Sequence, residues 1–306
     1  MSPVMNRFIS SKILGFIISN LIAFALIGLT KLWAPDSGLF IFSEFVIIPM
    51  LMGIVCAWFW RNLELSSNQV VGYSISNAVI AILLSAVFLH EGIICLIIVS
   101  PLLIAFMLAG AFMGRSMFKR NNQNLNISIV SLLVFVFILD SISNHYYVNE
   151  VSDEVVIHAP VSKVWKYVTA YKRNIHPNKY WLFRVGMPSP VQSTADGFYV
   201  GANRKCIFSN GYIFDEKIVT YEPNVNLTFD ITRQPRNPEI MGHIDILRGQ
   251  FILKDNGNGS TTLIGNSWYE LHVFPTWYYD IWAKSITRNV HLRVMDYIKE
   301  LSENPQ

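Results

Sequence analysis

The chain has 306 residues, 52% of them hydrophobic and only 15% charged, and its mean hydropathy of +0.36 is too apolar for a soluble protein of this length. The formal net charge of +3 comes from 24 bases and 21 acids scattered without a Lys/Arg stripe, which argues against a nucleic-acid partner. The apolar excess lies almost wholly before Asp140, so two regions suited to two solvents are expected, a transmembrane region at 1–147 and a water-soluble domain at 148–306.

A helix needs about 20 apolar residues to cross roughly 30 Å of hydrocarbon, because lipid cannot satisfy backbone amides. The spacing predicts about five such helices, at 13–33, 39–60, 70–90, 92–114 and 126–145, the last one short and running into Asp140. The first follows Arg7 and Lys12 as a signal peptide would, but KLWAPD after it lacks a small-residue cleavage pattern, so an uncleaved anchor is expected. With the N-terminus in the cytoplasm and five spans, Arg7, Lys12, Arg61, Arg115, Lys119 and Arg120 gather on the inside and only Lys31 outside. This places the C-terminal domain outside the cytoplasm. Within the spans, Glu44, Asp140 and the His90–Glu91 pair are costly enough to be functional candidates, although segment ends and a tight turn also account for them. Pro49 and Pro101 fit helix kinks, and no inverted repeat of the transporter kind is visible.

From Val151 the pattern changes. VSDEVVIHAP alternates as a strand and stops at Pro160, which can open a helix carrying Val164, Trp165 and Val168 on one face. An irregular stretch with three prolines follows, read as a short helix and a loop. Antiparallel strands then run from Gly197 to Phe274, turned by Asn210–Gly211, by Glu222–Pro223–Asn224 and by Asn256–Gly257–Asn258–Gly259. A closing helix over 276–301 shows an apolar stripe of Tyr278, Ile281, Trp282, Ile286, Val290, Val294, Tyr297 and Leu301. The sheet is the one surface large enough to cover it. The fold class expected is α+β, an N-terminal α-helical transmembrane bundle followed by a curved antiparallel sheet around a long C-terminal helix.

Strand-then-IHAPVSKVW at 157–165, GYIFDEKIVTYEPNVNLTFDI at 211–231, GQFILKDNGNGSTTLIGNSWYEL and the closing TRNVHLRVMDYIKEL resemble the helix-grip superfamily. That group includes START lipid-transfer domains, birch-pollen-allergen-like proteins and bacterial polyketide cyclases, often labelled SRPBCC. The resemblance covers about Val151 to Glu303 and implies a hydrophobic cavity between sheet and helix. It implies no activity, because this fold hosts binders, transfer proteins and enzymes.

Aromatic residues available to line such a cavity are Trp181, Phe183, Phe208, Phe214, Phe229, Phe251, Trp268, Tyr269, Tyr278 and Trp282, with Arg204 among them as a cation; Trp268 and Tyr269 cannot both face inward. Arg204, Glu216, His243, His272 and His291 are the donors and acids that could orient a ligand, and Arg204 and Glu216 fall on adjacent strands where a cross-strand ion pair is expected. The sequence shows no nucleophile triad, no phosphate-cradling glycine loop and no metal-spaced histidines, so no metal or cofactor is expected. Cys56 and Cys95 sit in apolar runs and leave Cys206 alone in the soluble part, without a disulfide partner. The leading expectation is a membrane-anchored module that binds or transfers a lipid, quinone or polyketide-like molecule, with the bilayer and that apolar ligand as its partners. The competing ones are a cyclase or hydrolase using His291, Glu216 or Tyr269 as proton donors, and a structural or sensory domain that binds a protein.

Overall fold

The structure, a computed structural model, describes residues 3–33, 43–89, 92–118, 147–235 and 243–304, with single positions at 131, 134 and 138 and without 175, 178 and 274. By its contacts the chain divides into two compact units. The first is Met1–His145 with two short later segments, and the second is Tyr146–Asn237, His243–Leu271 and Thr276–Gln306.

The first unit contains α1 (Pro3–Trp33), a π-helical turn (Ser43–Ile47) running directly into α2 (Ile48–Trp60), α3 (Ser67–Phe88) and α4 (Ile93–Phe118). Three helical stretches, Ser11–Leu29, Ser67–Phe88 and Ile93–Phe118, are long and apolar enough to cross a membrane, and Glu44–Trp60 is a shorter apolar helix. Apart from the single positions 131, 134 and 138, the expected segment 126–145 lies outside the described residues, as do Asp140 and the His90–Glu91 pair. A capping box starts α3: the Ser66 hydroxyl accepts from the Gln69 amide at 3.3 Å, and the Gln69 side chain accepts from the Ser66 amide at 2.9 Å.

Small residues let α2 and α4 meet backbone to backbone. A Cβ on Gly110 would lie 2.0 Å from the Met50 carbonyl oxygen, one on Gly53 2.2 Å from the Met107 carbonyl oxygen, and one on Gly114 2.7 Å from Ala57 Cβ. A buried polar cluster joins three helices. Asn20 Nδ2 of α1 donates to Asn77 Oδ1 of α3 at 2.7 Å, while Asn77 Nδ2 donates to Ser19 Oγ at 3.0 Å and to Cys56 Sγ of α2 at 3.3 Å.

The second unit is a seven-stranded antiparallel sheet with three helices. In chain order these are β1 (Tyr147–Ile157), α5 (Val161–Val168), α6 (Trp181–Arg184), β2 (Pro190–Ala195), β3 (Asn203–Phe208), β4 (Ile213–Glu222), β5 (Asn226–Arg233), β6 (Ile244–Asp255), β7 (Thr261–Leu271) and α7 (Thr276–Glu303). The sheet order is β1-β7-β6-β5-β4-β3-β2, so the first strand closes beside the last and the sheet curls around α7 in a helix-grip arrangement. The hairpin turns form where glycine can take a positive φ, at Gly211 (+85°) and Gly257 (+73°), which a side chain would strain.

Under α5 and the second half of α7, Ile157, Val164, Val168, Leu227, Leu263, Met295 and Ile298 are almost completely buried. Each such side chain contributes roughly 1.5–3 kcal/mol. This filled core closes one end of the grip, and the polar groups collect elsewhere.

Three elements differ from the sequence expectation. Residues 197–202 form a turn, and β3 starts only at Asn203, whose amide donates to the Asp196 carboxylate at 2.8 Å. Within the irregular stretch, 190–195 is a strand paired with β3. On the first half of α7 the buried positions are Tyr279, Asp280, Ala283, Thr287 and Asn289, whereas Ile281 of the expected stripe is 63% exposed. The cause is polar: Asp280 turns toward the sheet to meet Tyr269 and Asn149, which swings the apolar side of those turns outward.

Candidate functional site

A cavity of ≈ 100 Å³ opens between β3–β7 and the middle of α7. By the same measure one water needs about 10–15 Å³, so several waters or one small organic molecule fit, and a long acyl chain does not fit inside. Phe208, Phe214, Phe229, Phe251, Ile231 and Ile246 line it from the strands, and Val290 and Val294 from the helix. Strand alternation explains this lining: Phe229 and Phe251 occupy inward positions, and Gly249 leaves room for the Phe229 ring, which a Cβ would meet at 2.5 Å.

One end of the cavity holds a buried charge pair. Arg204 and Glu216 are register partners on β3 and β4, 3% and 4% exposed, and Arg204 Nη1 donates to Glu216 Oε2. Arg204 Nε also donates to the Thr169 carbonyl at 2.9 Å, and the guanidinium carbon sits 4.4 Å from the centre of the Phe229 ring. Burial pulls the Arg204 pKa down, but the charge and hydrogen bond of Glu216, together with the neighbouring Cys206 and Tyr171, outweigh it and the net direction is up. Burial raises the Glu216 carboxyl above the usual carboxylate range against the pull of Arg204. Beside them burial pushes the Cys206 thiol up to about 12, with the Glu216 charge adding to it, so the thiolate that could react is suppressed. Tyr171, also on the wall, is raised by burial as well.

The other end carries Ser267 on β7 and His291 on α7. Ser267 Oγ lies 2.5 Å from His291 Nε2, and His291 Nδ1 lies 3.3 Å from Asp153 Oδ2, an ion-pair distance without hydrogen-bond alignment. The second oxygen of Asp153 pairs with Arg288 Nε at 3.0 Å.

The structure thus brings Arg204, Phe208, Phe214, Glu216, Phe229, Phe251 and His291 of the sequence candidates together on one cavity. It places the others elsewhere. Trp181 on α6 is 43% exposed, and Phe183 is buried beside Tyr180. Tyr269 takes the inward position of its strand, fully buried, and Trp268 the opposite face. Tyr269 does not border the cavity: its hydroxyl donates to Asp280 Oδ1 at 2.6 Å, and burial, with that hydrogen bond, raises its pKa. Tyr278 packs on Trp277 and Tyr279 at the start of α7, and Trp282 is half-buried. His243 precedes β6 and His272 follows β7, and neither borders the cavity. Sequence reasoning missed Asp153 and Ser267. A charged residue at an inward place of an alternating strand is the signal that could have found Asp153.

No family model and no curated protein matches the chain. Solved structures that it is similar to include truncated norcoclaurine synthase from Thalictrum flavum, at 12% identity and a TM-score of 0.38, over 54% of this chain and 99% of that one. Others are a protein from Mesorhizobium loti, at 17% identity and TM-score 0.31 over 50% and 96%, and one from Nitrosospira multiformis, at 18% and 0.28 over 47% and 95%.

Proposed function

We propose that the C-terminal domain holds one small apolar molecule between its sheet and α7, and that the apolar helices of the N-terminal region anchor it in a membrane. The observation that carries this reading is the cavity itself: a phenylalanine, isoleucine and valine wall that also carries a few polar groups, Arg204, Glu216, Ser267 and His291 among them. A ring or short chain would lie against the phenylalanines. Its polar group would face either Arg204 and Glu216 or Ser267 and His291. The reading predicts that a panel of small aromatic and short aliphatic compounds contains members that raise the thermal midpoint of the full-length protein in detergent. A panel with no stabilising member, together with no small molecule extracted from the purified protein, would overturn it.

The distribution of bases supports a five-span topology with the N-terminus in the cytoplasm and this domain on the other side. A reporter active only in the cytoplasm, fused after Gln306, is expected to stay silent; a strong signal would reverse the orientation. A second reading, in which the domain docks a protein, has Phe198, Tyr199 and Val200 in its favour, since this turn exposes three adjacent apolar side chains. Replacing all three by serine should leave small-molecule stabilisation intact.

A further inference from the structure

Binding an apolar guest does not require the row of side chains at the helix end of the cavity. Asp153 occupies an inward position of β1, where a carboxylate without partners would be costly, and Ser267 occupies an inward position of β7. The register sets Val151 opposite Ser267 and Asp153 opposite Gly265, so Asp153 and Ser267 are diagonal neighbours on one face of the sheet. The helix comes down onto this spot because Gly265 has no side chain: a Cβ there would stand 2.8 Å from Met295 Sδ, one turn beyond His291. The imidazole is thereby lowered between the other two, Nε2 toward Ser267 Oγ at 2.5 Å and Nδ1 toward Asp153 Oδ2 at 3.3 Å. Hydroxyl and imidazole both border the cavity, and the acid lies behind the imidazole.

We propose that Ser267, His291 and Asp153 form a nucleophile relay, with Ser267 Oγ the attacking atom and an ester or thioester of a small apolar acyl group the substrate. The substrate class rests on the ligand reading of the cavity given above; the nucleophile does not. Such relays are defined by mutual geometry and not by chain order: a hydroxyl within hydrogen-bond reach of a base that a third group orients. Ser267 Oγ adds to the acyl carbon as its proton passes to His291 Nε2. The bond from that carbon to the leaving oxygen or sulfur then breaks, and the leaving group takes the proton from His291. Water repeats both steps on the acyl-serine, releasing the carboxylic acid and restoring Ser267. Asp153 touches no reacting atom and is a positioning residue for the imidazole. Cys206, the other candidate nucleophile on the wall, is held as a thiol by its burial.

The test is labelling of the full-length protein in detergent by a small fluorophosphonate, read by intact mass and peptide mapping. One adduct is expected, on Ser267, and none in Ser267→Ala. His291→Gln should slow labelling about 10²-fold or more. Asp153→Asn should lower the maximal labelling rate about tenfold while leaving the half-saturating probe concentration unchanged, a split that mere loosening of the fold would not give. No adduct on the wild-type protein, an adduct that survives Ser267→Ala, or an unchanged rate in a folded His291→Gln protein would overturn the relay. Thermal shift by apolar compounds, measured on the same sample, separates the two readings. Failed labelling with intact stabilisation removes only the nucleophile, and labelling without any stabilising compound removes the apolar-ligand reading and its substrate class.

Discussion

The two units solve the problem of buried polar groups in opposite ways. In the apolar helices, Ser19, Asn20, Cys56 and Asn77 bond to one another across three helices, neutral groups satisfying neutral groups, while glycines bring α2 and α4 into backbone contact. In the C-terminal domain several buried polar groups are instead charged: Arg204 with Glu216, Asp153 with Arg288, and Asp280 with Lys284. Neutral pairing suits a lipid solvent, where there is no water to offset a desolvated charge. Of the charged groups, Arg204 and Glu216 line the incompletely filled interior, as does His291 beside Asp153.

The largest expected effect is on the charged side of that comparison. Arg204→Ala leaves Glu216 buried without its partner and should destabilise the domain by about 3–5 kcal/mol, whereas the double change Arg204→Met with Glu216→Leu should recover most of the loss. Both follow from thermal melts, and a double variant as unstable as the single would show that the pair acts through more than its charges. Next is the glycine seam. Gly110→Val drives a side chain into the Met50 carbonyl and should cost about 3 kcal/mol, while Gly72→Ala, with nothing within 4 Å of the added carbon, should be neutral or slightly stabilising. Equal midpoints for the two variants would break the account of α2–α4 packing.

Asp280→Asn should cost about 1.5–3 kcal/mol at neutral pH, the range for a hydrogen bond to a charged group. Burial alone would raise the Asp280 pKa, but hydrogen bonds from Lys284, Tyr269 and Asn149 hold it below its ordinary 3.8. A carboxyl lowered on folding stabilises fully above 3.8 and loses that contribution as pH falls through its folded value. The gap between wild type and Asp280→Asn should therefore close under acid conditions, and a gap independent of pH would contradict the assignment. The smallest effect belongs to the neutral cluster: Asn77→Leu should cost about 0.6–1.7 kcal/mol, since interhelical hydrogen bonds among apolar helices contribute modestly.

Much of the sheet was legible from turn chemistry. Asn210–Gly211 and the Asn256–Gly259 run mark real hairpins because the positive φ they need is written in the residue types. Phe208, Phe214, Phe229 and Phe251 were available as lining aromatics and Arg204 and Glu216 were expected on adjacent strands, but which aromatics reach the cavity follows from the register. Hydrophobic period failed on the first turns of α7, because Asp280 takes a sheet-facing place that the stripe assigns to an apolar residue. It also left Trp268 and Tyr269 undecided, since parity along β7 becomes visible only once Gly265 and Ser267 are known to face α7. Asp153, Ser267 and His291 stand far apart in the chain. Strand register and one glycine unite them, and neither relation is written in a local motif.

The central claim is that space is left between sheet and helix for an apolar guest, and filling that space tests it most directly. Calorimetric titration of a stabilising small aromatic compound should show one site per chain in the wild-type protein, and Val290→Trp, which places an indole in the cavity, should weaken binding at least about tenfold, a loss of about 1.4 kcal/mol, without lowering the thermal midpoint. Equal affinity in a folded Val290→Trp protein would contradict the account, because the guest would then bind somewhere else.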